Sequence, residues 1–67
     1  MNTARGFRRK REEHGLDQNE LSQITGISKA MICYIEKGMR MPSLETVVAV
    51  VEALHCPVDE LLDREVS

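Results

Sequence analysis

The sequence predicts an all-α fold, a compact bundle of five short helices, and three observations predict it. Glycine and proline divide the chain into five segments, and each segment carries a helix start or stop signal. Apolar residues inside the segments recur at three- and four-residue steps. One Phe, one Tyr and no Trp leave a core of Leu, Ile and Val, which suits a small helical bundle better than a small sandwich. The 67 residues amount to a single domain, 1–67. Folding at this length buries only about 60% of the surface that the unfolded chain exposes, which leaves little room for an enclosed active site.

The first segment, Thr3 to His14, is rich in helix formers and stops at Gly15. Its apolar positions are only Ala4 and Phe7. Arg11 lies four residues beyond Phe7 on the same face, so it needs a partner. The second segment opens with "DQNE". Asp17 is a good N-cap, Glu20 can reach back to complete a capping box, and Leu16 and Leu21 stand at the positions of a hydrophobic staple. Leu21 and Ile24 are expected to face inward, and Gly26 ends the helix.

The third segment is capped by Ser28. Ile27, Met31 or Ile32, and Ile35 form its inward stripe, with Lys37 in the last turn and Gly38 beyond it. The loop "MRMP" follows. Ser43 then caps a fourth segment in which Thr46, Val47, Val48, Val50 and Val51 are β-branched, so a strand is the competing reading. Helix is preferred, because Val47, Val50, Val51 and Leu54 make a helical stripe and the chain holds no second strand to pair with. The fifth segment, "PVDELL", places Pro57 at the first helical position, with acids in the first turn. "DREVS" is expected to fray.

The formal net charge is −2, but the charge is unevenly distributed. Residues 1–42 hold eight Lys/Arg against five Asp/Glu, and residues 43–67 hold one against six. A chain that is acidic overall can therefore still present a basic face. No apolar run is long enough for a membrane span, and the basic start lacks the apolar stretch of a signal peptide. A cytoplasmic, reducing setting is expected, with Cys33 and Cys56 as free thiols.

Two helices of about two turns, joined around Gly26, form a helix-turn-helix pattern, with its core at about residues 17–38. "GLDQNELSQITGISKAMICYIEKGMRMPSLETVVAVVEALHCPVDELL" resembles the Cro/phage-repressor (XRE-like) helix-turn-helix family. The landmarks are Arg11, Gly15-Leu16, Gln18, Glu20-Leu21, Gly26-Ile27-Ser28, Ile32, Ile35-Glu36, Gly38, Pro42-Ser43, Thr46, Ala53-Leu54 and Asp59-Glu60-Leu61-Leu62, at uninterrupted spacing from about Phe7 to Leu62.

The resemblance implies a lambda-repressor-like domain whose third helix enters the DNA major groove. It implies that Gln18, with the N–H groups that begin helix 2, meets backbone phosphate. Base-reading positions fall on Ser28, Lys29, Ala30, Cys33 and Tyr34, and Lys37 and Arg40 follow in the region that grips the backbone. It offers Arg11 a structural partner in Glu36, through a largely buried ion pair. The sequence departs from the family at Lys10, where Leu is usual, so helix 1 is expected to pack less tightly or to be shifted. It also departs at Val51, in place of a usual Ala, and at Cys56, in place of Val.

Each site residue has a plainer alternative. Lys29 is either a ligand of guanine or phosphate, or a solvated lysine. Tyr34 either donates to phosphate or packs on a thymine methyl, or it is half-buried packing. Ala30 can make only apolar contact. Cys33 is better read as a small filler than as a redox sensor. The basic run "RGFRRKR" is read as a solvated helix face with one or two phosphate contacts. The apolar surplus in the fourth segment and at Val58, Leu61 and Leu62 serves the core, or the core and also a homodimer contact. The second is preferred, through Val58, Leu62 and Val66 in a dimerisation segment at about 57–67, because a chain this short gains from oligomerisation.

His14 and His55 lack companions at ligand spacing, so neither metal nor cofactor is expected. No catalytic constellation is present. The reading is a transcriptional regulator, a repressor, that binds double-stranded DNA as a homodimer. The alternative is a protein-interaction module of the same fold, such as a toxin-neutralising antitoxin, suggested by the acidic last third and by Val48, Val58 and Leu62.

Overall fold

Capping chemistry sets the helix ends. The structure, a computed structural model, describes residues 3–62. It contains α1 (Thr3–Glu13), α2 (Gln18–Thr25), α3 (Lys29–Glu36), α4 (Leu44–Leu54) and α5 (Val58–Leu62), so the all-α five-helix reading holds. The Thr46–Val51 run is helical and not a strand. Asp17 Oδ1 accepts from Glu20 N at 2.7 Å, and Asp17 N donates to Glu20 Oε1 at 2.9 Å, a complete capping box. Ser28 and Ser43 cap α3 and α4 by accepting from Met31 N and Thr46 N. Pro57 stands one residue before α5, and its carbonyl accepts from Glu60 N and Leu61 N.

The corner between α2 and α3 turns on Gly26, whose φ of 77° lies in the left-handed region that favours glycine. Side chains lock it from both sides. Thr25 Oγ1 donates to the Leu21 carbonyl at 2.7 Å and accepts from Ile27 N at 3.2 Å, while Ser22 Oγ donates to the Ile27 carbonyl. At the end of α4 a histidine does what glycine does elsewhere. His55 takes φ 53° and ψ 46°, and its N–H donates to the Val51 carbonyl.

Every helix contributes to one core: Phe7, Leu21, Ile32, Ile35, Val47, Val50, Leu54, Cys56 and Leu61 are buried. Each buried aliphatic side chain of this size contributes roughly 1.5–3 kcal/mol. Leu16, Ile27, Met31 and Val51 pack against the edge. Helix α1 packs on α5 and α3, α2 on α3 and α4, and α4 on α5.

Two expectations are corrected. Ile24 does not face inward with Leu21 but is 52% exposed. Helix α2 is only eight residues long and packs mainly on α3 and α4, and Ile24, about 60° around from Leu21, falls outside that contact. Lys10 does not loosen α1. Its stem is buried in the position where an apolar side chain was expected, and its ammonium reaches the rim, where it pairs with Glu13 at 3.0 Å and with Glu60 of α5. Those hydrogen bonds, Glu60 first, raise the Lys10 pKa above 10.5, and the same ammonium lowers that of Glu13. Burial raises the pKa of the Cys56 thiol above its ordinary value.

Candidate nucleic-acid interface

The two sides of α3 carry different chemistry. Ile32, Ile35 and Glu36 are buried against the rest of the bundle. On the opposite side Lys29, Ala30, Tyr34 and Lys37 are exposed and Cys33 is half-buried. Lys29, Cys33 and Lys37 follow at four-residue steps, so they share one stripe, with Ala30 and Tyr34 beside it. Together with Gln18 from the start of α2, these five residues line one open recess. An α-helix with its side chains is about 10–12 Å across, close to the width of about 12 Å of a B-DNA major groove.

Ser28 and Arg40 flank the recess without lining it. Ser28 is exposed, and its Oγ accepts from Met31 N at 3.1 Å, which leaves its O–H and one lone pair for a ligand. It borders a second groove with Glu45 and Thr46. Arg40 is exposed beyond the end of α3. The Met39 and Arg40 N–H groups both donate to the Tyr34 carbonyl, at 2.9 and 3.3 Å, and this folds the loop back onto the helix.

Glu36 organises the rear of the recess. Its side chain is only 1% exposed. Arg11 grips it with two prongs, Nε to Oε2 at 2.8 Å and NH2 to Oε1 at 2.9 Å, and donates from NH1 to the Leu16 carbonyl at 2.8 Å. The hydrogen bond to Glu36 raises the Arg11 pKa. Gln18 Nε2 donates to the same Oε1 at 3.2 Å. One amide N–H of Gln18 is thereby engaged, which leaves its second N–H and its carbonyl for an outside ligand.

The start of α2 is less open to an anion than its helix N-terminus alone suggests. Glu20 N is taken by Asp17, and the capping box places two carboxylates there. Against them stands Arg8, which the sequence reading placed in the basic run of helix 1, with its one or two phosphate contacts, without naming it as a site residue. Its Nε lies 3.8 Å from Glu36 Oε1 and its side chain is 58% exposed. The signal was there: Arg8 is three residues before Arg11 and so shares its flank of α1.

The residues expected to form a dimer contact are spread over several surroundings. Val58 is 44% exposed, Leu62 is half-buried, and Val66 lies outside the described residues. Val48 and Leu44 are exposed on α4. Among the described residues no cluster of His, Cys, Asp and Glu could hold a metal, and no helix is long and apolar enough to cross a membrane.

Comparison with known proteins places this geometry. Residues 7–61 match the helix-turn-helix family HTH_3. The fold is similar to the crystal structure of the restriction-modification controller protein C.AhdI from Aeromonas hydrophila, with a TM-score of 0.83 and 27% sequence identity over 90% of this chain and 91% of that one. No curated protein sequence matches.

Proposed function

Because the chain belongs to the helix-turn-helix family HTH_3, of the XRE/Cro type, we propose that it is a sequence-specific repressor. It binds a two-fold operator as a homodimer, with α3 in the major groove of each half-site. Family membership itself makes it a DNA-binding transcriptional regulator and not an enzyme. The observation that carries the finer reading is the recess. Gln18, Lys29, Ala30, Cys33, Tyr34 and Lys37 converge on the side of α3 that the core leaves uncovered, with an ammonium stem at each end. Lys29 donates to guanine O6/N7, Ala30 and Tyr34 meet a thymine methyl, and Gln18, Lys37 and Arg40 hold phosphates. Ser28 offers its O–H at the leading edge.

The whole chain acts as one domain in the cytoplasm, with dimerisation through Val58, Leu62 and the segment to about residue 67, Val66 included. The likeness to a restriction-modification controller makes a promoter of such an operon the first place to look for the operator. Selection of bound duplexes from a random pool tests the reading. It should return two inverted half-sites with centres about 10 bp apart, bound by two chains. A pool that yields no motif overturns it. A stoichiometric protein partner, without salt-sensitive DNA binding, would favour the interaction-module alternative instead.

A further inference from the structure

The Glu36 hub holds more positive charge than it needs. Arg11 alone occupies both carboxylate oxygens, so the buried charge is already neutralised. Arg8 brings a second guanidinium to the same carboxylate, at 3.8 Å, which is beyond hydrogen-bonding distance, and most of its side chain faces outward. Its charge is surplus to the hub. Gln18 Nε2 lies 3.2 Å from the same Oε1, which places Arg8 Nε and the Gln18 amide within about 7 Å of each other. One phosphodiester can bridge that span, since its oxygens accept charge-assisted bonds of about 2.8 Å on either side. A phosphate arriving at the start of α2 also meets the carboxylates of Asp17 and Glu20, so it needs a nearby cation.

We propose that Arg8 and Gln18 form a two-pronged clamp for one DNA phosphate per half-site, set by their shared contact with Glu36. The inference rests on the reading that the chain binds duplex DNA through α2 and α3. It narrows the basic run of α1 to Arg8 as the phosphate ligand and makes Glu36 a positioning residue that touches no DNA. Gln18 belongs to both the clamp and the recess, so the clamp fixes how α3 is registered against the bases.

The test compares the full chain with Arg8→Ala and Arg8→Lys, on the selected operator and on an unrelated duplex, across a salt series. Loss of one phosphate contact lowers the slope of log K against log salt by about 0.9 per subunit and weakens binding near 0.1 M salt by about tenfold per subunit. The loss should be equal on both duplexes, and Arg8→Lys should keep the slope. Ethylation of one phosphate per half-site should impair the wild-type chain and cease to matter for Arg8→Ala. Thermal unfolding of both variants should match wild type, because Arg8 is exposed.

An Arg8→Ala chain with wild-type slope and ethylation pattern overturns the clamp and leaves the proposed function standing. So does a loss confined to the operator with the slope unchanged, which would assign Arg8 to base reading. A wild-type chain without salt-sensitive duplex binding overturns both.

Discussion

Two neighbouring residues of α1 each reach for a carboxylate on another helix, in very different surroundings. Arg11 holds Glu36 of α3, and Lys10 holds Glu60 of α5. Consecutive residues on a helix point about 100° apart, so one short helix ties down two elements on different sides. The Glu36 side chain is 1% exposed and that of Glu60 is 49% exposed. A planar guanidinium meets the first carboxylate with two parallel bonds, while a point-like ammonium is shared between Glu60 and Glu13 at the rim. The inner pair seats α3 and the outer one holds α5. Water can take over for a lost partner only at the outer site, so depth and not the count of bonds decides what each is worth.

Removing one partner of the inner pair is the sharpest way to break this contrast. Glu36→Ala leaves the Arg11 guanidinium and the Gln18 amide without their acceptor, and should destabilise the fold by roughly 3–5 kcal/mol in urea unfolding. The double variant Arg11→Met/Glu36→Leu should recover most of that loss, because two apolar groups leave no unpaired charge. If Glu36→Ala proved no worse than Glu60→Ala, depth would not be the deciding factor.

Lys29→Ala touches neither pair. It should leave stability unchanged yet cost about 1–3 kcal/mol of operator binding and relax base preference at one position, seen by competition with point-substituted operators. Replacing thymine by uracil at the step facing Ala30 should cost about 0.8 kcal/mol, the worth of one buried methyl-sized group, and leave the salt slope unchanged.

The outer pair should show itself in pH dependence. The Glu13 pKa is lowered from 4.5, so its contribution is present above that value and is lost as pH falls through the lower folded pKa. The Lys10 pKa is raised from 10.5, so its contribution is complete below that value and is lost as pH rises through the higher folded pKa. The clasp is therefore intact between these limits. Lys10→Leu keeps the buried stem, and should change the melting temperature little at neutral pH while flattening the profile at both ends.

Much of this was legible in the chain because caps are local. Asp17, Ser28 and Ser43 each satisfy a backbone N–H three residues on, and Gly26 and Gly38 take the left-handed φ that ends their helices. The recess residues were legible from helical spacing together with the family resemblance. Three features were not. Ile24 follows the apolar stripe but is left exposed, since α2 is short and packs mainly through Leu21. Lys10 reads as a misplaced charge until α5 brings Glu60 beside it, fifty residues along the chain. His55 carries no glycine signal, and only the geometry between α4 and α5 selects its φ of 53°.

What the sequence determined by itself is the set of helices, their ends, and which side of α3 faces away from the core. These follow from interactions spanning three or four residues, and such interactions are written in local spacing. What only the tertiary structure decided is how charges far apart in sequence share one carboxylate. Arg8, Arg11 and Gln18 converge on Glu36 because α1, α2 and α3 pack together. That convergence turns an exposed arginine on helix 1 into a neighbour of Gln18 at the edge of the α3 recess.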